Sequence, residues 1–171
     1  RSLRYEIDFT GATPTATVTI TYTNGGTFTQ KTTRYRTFLR LYVPKGATLV
    51  SSEGADLADR SSKPGEVETT EDLDHTVFGA FKSIEPGQTE TIVFRYALPE
   101  RIRSAVANGL YELTVQKQAG TIAPALTVVA LFSQPARIID GVDNLPTGRH
   151  TRHELTTDLR RDRLFRFRVG S

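Results

Sequence analysis

Along Thr37–Val43 every second side chain is aliphatic. Leu39, Leu41 and Val43 fall on one face of an extended chain, and Phe38, Arg40 and Tyr42 on the other. That two-residue period is the mark of a strand with one face in a core. Pro44 has no amide hydrogen to give a ladder and Gly46 tolerates a positive φ, so the strand stops there.

The same alternation returns along the chain. Leu3, Tyr5, Ile7 and Phe9 share a face, as do Ala16, Val18, Ile20 and Tyr22, whose intervening positions are threonines. Asn24-Gly25-Gly26 is a turn signal. A weaker strand starts at Ala47, through Thr48, Leu49 and Val50. Ser51–Asp74 is polar and reads as a long surface loop with a short strand at its end. His75–Phe81 reads as a strand in which Gly79 marks a bulge or a close approach. Pro86-Gly87 suits a type II turn. Ile92, Phe94, Tyr96 and Leu98 alternate, and Pro99 ends that run. Glu100–Asn108 is the one helix candidate, with Asn108-Gly109 to close it. Further strands are expected at Tyr111–Val115, Leu126–Phe132, Ala136–Asp140, His153–Leu159 and Leu164–Val169. Leu126–Phe132 is nearly all apolar and so central. About nine or ten short strands with at most one short helix predict an all-β, antiparallel β-sandwich of immunoglobulin or fibronectin type, formed by residues 1–171 as a single domain.

Composition narrows the function classes. At 171 residues and 37% hydrophobic content the chain can bury a core unaided. There is no cysteine, hence no disulfide and no thiolate metal site. The net charge of +3 is spread thinly, which argues against a nucleic-acid partner. No apolar run reaches the roughly 18 residues of a membrane span, and no signal peptide is visible. Because the first residue is Arg1, an excised or processed piece of a longer protein is expected.

Five strings occur in order: Tyr35–Gly46, Thr76–Phe81, Glu85–Thr89, Tyr96–Pro99 and Leu113–Thr121. Together they resemble the C-terminal portion of the bacterial domain-of-unknown-function family 4012, over about residues 15 to 132. Arg-Leu-Tyr-Val-Pro-Lys-Gly and Val-Gln-Lys-Gln-Ala-Gly-Thr are the most specific parts. The resemblance implies an extracytoplasmic module, at the cell surface or held at the membrane by a helix outside this chain. It brings no catalytic residues.

Two groups stand out as binding candidates. Arg36, Arg40 and Tyr42 lie on or beside one strand, with Phe38 on the same face as Arg40 and Tyr42. They read either as a surface for carbohydrate or anionic polymer, or as an outer sheet face where arginine covers its aromatic neighbours. Gln116, Lys117 and Gln118 close a strand before Gly120, where sandwich loops often bind and where polar residues are also simply solvated.

The remaining motifs point away from catalysis and metals. The acidic loop Glu66–Asp74 and the turn Asp140–Asn144 lack the pattern of a calcium-binding EF-hand. His150 and His153 are three apart, which puts them on opposite strand faces, so no metal site is expected. No serine-nucleophile elbow occurs. Arg160–Arg168 is the one basic cluster. It suits either a lipid or teichoic-type surface, or the outward side of an edge strand. The strand pattern and the missing motifs predict a non-catalytic module without cofactor. The resemblance implies that it belongs to a membrane-anchored bacterial envelope protein, binding or scaffolding on cell-wall polysaccharide or another envelope protein. The alternative is an accessory or catalytic domain of an envelope glycan-processing enzyme.

Overall fold

The computed structural model describes residues 1–29, 33–59, 63–118, 120 and 122–170. Residues 60–62 of the long loop, and Ala119 and Thr121 of the string Leu113–Thr121, lie outside these. Among the described residues there are eleven strands and one helix, so the all-β expectation holds with one strand more than the upper count. The order is β1 (Ser2–Asp8), β2 (Thr15–Thr23), β3 (Tyr35–Pro44), β4 (Thr48–Glu53), β5 (Glu68–Asp72), β6 (His75–Ile84), β7 (Thr89–Ala97), α1 (Glu100–Ala107), β8 (Leu110–Val115), β9 (Ala125–Asp140), β10 (His150–Asp158) and β11 (Arg163–Val169).

Eight strands form a sheet in the order β4-β7-β2-β1-β9-β11-β8, with β10 added against β9. This sheet is mixed and curls into a half-barrel. The all-antiparallel expectation fails at one pair, because β1 runs parallel to β9 from Ser2 beside Ala125 to Asp8 beside Leu131. Ala136–Asp140 is not a separate strand either. It continues Leu126–Phe132 as one 16-residue strand that changes neighbours midway. β1 accompanies β9 as far as Leu131, and β11 takes over at Ala136. Pro135 falls in the gap between them, where no neighbour on that side needs the amide hydrogen it lacks.

β3, β6 and β5 form a second, three-stranded sheet. Its core-facing row on β6 is Phe78, Ala80, Lys82 and Ile84, all buried. The Phe78 ring lies 6.4 Å from Phe94 and 5.5 Å from Tyr96, both on β7 of the large sheet. These contacts close the space between the two sheets. Leu39 and Val43 of β3 are buried from the same side, and Leu41 packs against the core, as the alternation predicts.

A second part of the core fills the curl of the large sheet. Phe9 stacks on Phe132 at 5.3 Å and meets Tyr111 edge-on at 4.9 Å, and Phe167 closes on Phe132 at 5.4 Å. The hydroxyls of Tyr5 and Tyr111 stand 3.4 Å apart, with Tyr96 in reach. Burial pushes all three phenols up, Tyr96 and Tyr111 well above the ordinary tyrosine value. α1 packs Ile102 and Val106 against this region, and Gly109 ends the helix at φ +89°.

Polar groups also tie the layers together. Lys82 on β6 and Asp56 in the loop after β4 form a buried ion pair at 3.1 Å. Glu90 of β7 reaches the same amine from the large sheet at 3.2 Å.

Candidate functional site

The outward face of the three-stranded sheet carries the first candidate group. Arg36, Phe38, Arg40 and Tyr42 project from β3 on this face, since Leu39 and Val43 take the other. Their neighbours on β6 are Ser83, Phe81, Gly79 and Val77 in turn. β5 completes the face with Glu68 beside Gly79, Thr70 beside Val77 and Asp72 beside His75.

Both aromatic rings on β3 are half-exposed yet held. A Cβ on Gly79 would come within 2.9 Å of Phe38 Cζ. The Phe38 ring therefore lies over bare backbone, and 48% of the residue remains open to solvent. Gly79 is thus a close approach, not a bulge, as its regular pairing with both neighbours shows. Tyr42, 42% exposed, is fixed at its tip, where the hydroxyl donates to Asp72 Oδ2 at 2.8 Å. Its ring also meets His75 edge-on at 6.1 Å. Arg36 and Arg40 are exposed and have no ion-pair or hydrogen-bond partner among the described residues.

Beyond Tyr42 the sheet ends in a strained hairpin. Asp72 pairs with His75, so Leu73 and Asp74 alone make the turn, with φ of 47° and 61°. Left-handed backbone at both central positions is the type I′ hairpin, in which Asn-Gly is favoured and leucine is a poor fit. Lys45 anchors the turn through Asp74 Oδ1 at 3.0 Å. That contact, chiefly its hydrogen bond, lowers the Asp74 pKa and raises that of Lys45.

Gln116, Lys117 and Gln118 follow β8 on the large sheet, so the two candidate groups sit on different layers. Asp162 Oδ1 accepts from the Lys117 amide at 2.7 Å, and Gln118 Oε1 accepts from Arg1 at 2.8 Å. Arg1 lies over the Tyr22 ring at 5.6 Å, and Tyr22 neighbours Tyr35 of β3 at 6.3 Å. Gln118 is thus linked to the beginning of β3 by Arg1 and two tyrosines. Lys117 Nζ donates to the Gln118 carbonyl oxygen at 3.1 Å.

Other motifs are used up in structure. Arg160, Arg161, Arg163 and Arg166 each face a carboxylate, at Asp158, Asp143, Asp158 and Glu112. β11 lies between β9 and β8, so the edge-strand expectation for Arg166 and Arg168 is wrong. The expectation that His150 and His153 face apart is wrong too. A register shift between His150 and Arg152 brings their rings to 5.8 Å. His153 is buried, with its Nε2 2.8 Å from the Ala136 carbonyl oxygen. No cluster of three or more His, Asp or Glu side chains is placed to hold a metal among the described residues. Two surface hollows among the described residues share Val142 and Asp143 in their lining.

Sequence reasoning passed over Asp72 as a partner of Tyr42, and missed the Lys82–Asp56–Glu90 cluster altogether. A signal for Lys82 existed. Extending the inward alternation of Phe78 and Ala80 by one step places a lysine on the core face. Asp56 has no such periodic context.

No family model matches the sequence, and a search of curated proteins finds no significant relative. Among the described residues no helix is long and apolar enough to cross a membrane.

Proposed function

We propose that the outward face of β3 is a binding platform for an extended anionic polysaccharide of the bacterial cell envelope. On this reading the chain is a non-catalytic, extracytoplasmic module of a protein anchored to the membrane by a segment outside it. One observation carries the reading. Two half-exposed rings, Phe38 and Tyr42, are each pinned against the sheet, with Arg40 between them and Arg36 beside them on the same face. Rings held in place lose little freedom on stacking against a sugar. Unpaired guanidinium groups at alternate positions, about 13 Å apart along the strand, suit repeating carboxylates or phosphates. The resemblance to the C-terminal part of family 4012 supports the envelope setting. The two facing layers support a sandwich of immunoglobulin kind whose larger layer has gained strands.

Calorimetric titration of the folded chain with a soluble uronic-acid polymer and a soluble phosphodiester polymer tests this. Saturable binding to one of them is expected, weakened by added salt. Phe38→Ala and Arg40→Ala should each reduce affinity about tenfold, the equivalent of ~1.4 kcal/mol. Equal affinity in the double variant, or no binding to either polymer, would count against the reading.

A further inference from the structure

Lys82 and Asp56 are an amine and a carboxyl group held together away from water. Nζ lies 3.1 Å from Asp56 Oδ1, with only 7% of the lysine and 9% of the aspartate side chain exposed. The other carboxyl oxygen, Oδ2, accepts a hydrogen bond from the Ser83 amide at 2.9 Å. A second carboxylate, Glu90 Oε2, stands 3.2 Å from the same Nζ. An ordinary buried ion pair needs one acid for one base. Here one amine has two acids, one of them gripped by a backbone N–H.

We propose that these groups form an intramolecular isopeptide bond between Lys82 Nζ and Asp56 Cγ. Transfer of one proton from Nζ to Oδ1 converts the ion pair to a neutral amine and a neutral acid without changing the proton count. Burial assists this step because both charges disappear. The nitrogen lone pair then attacks Cγ, and the carbonyl electron pair moves onto Oδ2. The Ser83 N–H already points at that oxygen, as an oxyanion donor must. Glu90 takes a proton from the nitrogen and passes it to the Oδ1 hydroxyl, which leaves as water while the carbonyl re-forms. One C–N bond forms, one C–O bond breaks, one water departs and Glu90 ends as it began. No oxidant, metal or co-reactant enters.

Alignment of amine and carboxyl by the fold supplies the rate that the same groups lack free in solution. The product ties the loop after β4 to β6 in a chain without cysteine. It also replaces two buried charges with an amide.

The mass of the purified, denatured chain is the test. The expected value is below the sequence mass by one water molecule. Trypsin should fail to cut after Lys82 and release a branched peptide containing Asp56. Lys82→Arg and Asp56→Ala should both carry their full sequence mass. Glu90→Gln, which keeps the Lys82–Asp56 contact, should slow bond formation by about a hundredfold or more, the usual weight of a proton carrier. A wild-type chain at full sequence mass, cut normally after Lys82, would overturn the proposal without recourse to any variant.

Discussion

The Tyr42 hydroxyl donates to Asp72 across β6, joining the two outer strands of the three-stranded sheet over the buried side chain of Val77. The bond lies at the surface, so its loss should be mild. Tyr42→Phe should cost roughly 0.5–1 kcal/mol in urea unfolding. It should also free the ring, and polymer affinity should fall although the aromatic face is kept. Unchanged affinity would show that the pinning of the ring is irrelevant to binding.

Strain in the neighbouring hairpin makes the opposite kind of prediction. Leu73 is 79% exposed, so little packing is lost when it is replaced, while its backbone sits in a conformation leucine disfavours. Leu73→Asn should therefore stabilise the fold by about 1 kcal/mol, raising Tm by roughly 2–4 °C. Calorimetry showing a lower Tm would mean that the leucine side chain packs on something in solution.

Gly79→Ala separates the platform from the fold. The new methyl group meets the far end of the Phe38 ring and displaces it from its seat on the backbone toward solvent. Stability should drop by about 1 kcal/mol or less, at the low end for added core volume. Affinity for polymer should fall as far as in Phe38→Ala. A stable Gly79→Ala variant that binds normally would separate ring position from recognition.

Alternation made β1, β2, β7 and β11 legible, because each has one face in the core and the other in water. Long-range pairing leaves no such trace. Nothing local in Ser2–Asp8 or Ala125–Leu131 says that these strands run parallel. The break at Ser133–Pro135 hid the continuity of β9, since proline ordinarily ends a strand and here only marks a change of neighbour. The tight turn at Leu73-Asp74 was invisible for want of a glycine, although a short strand at the loop's end was expected. Of the site, Arg36, Arg40, Tyr42 and Phe38 were legible from the face they share. Asp72 was not, because a partner two strands away has no fixed spacing in sequence.

On the outer face of the large sheet, Glu154 accepts from Arg152 and from Arg4, the latter at 3.2 Å. The Arg152 contact and then the Arg4 contact lower the Glu154 pKa. A lowered carboxyl pKa adds stability that is present above the ordinary glutamate range and lost as pH falls through the folded value. Glu154→Gln should therefore flatten the acid limb of the stability profile, measured by urea unfolding at successive pH values. An acid limb as steep as that of the wild type would exclude this carboxylate as a contributor.

At the alkaline end the buried phenols dominate the expectation. Tyr5, Tyr96 and Tyr111 bring their hydroxyls together inside the core, and burial raises all three above the ordinary value of 10.0. A raised value means that the folded chain keeps the phenol neutral while the unfolded chain ionises. The stability so gained is fully present below about pH 10 and is lost as pH rises beyond it. Each phenol held neutral steepens the decline by up to about 1.4 kcal/mol per pH unit. Tyr111→Phe keeps the ring contacts with Phe9 and Phe167 and removes one ionising group. Its stability should be lower than wild type near neutrality, through loss of the contact with Tyr5, and should fall less steeply above pH 10. Parallel alkaline limbs for the two proteins would mean that Tyr111 ionises as readily folded as unfolded, which is incompatible with a hydroxyl sealed in this core.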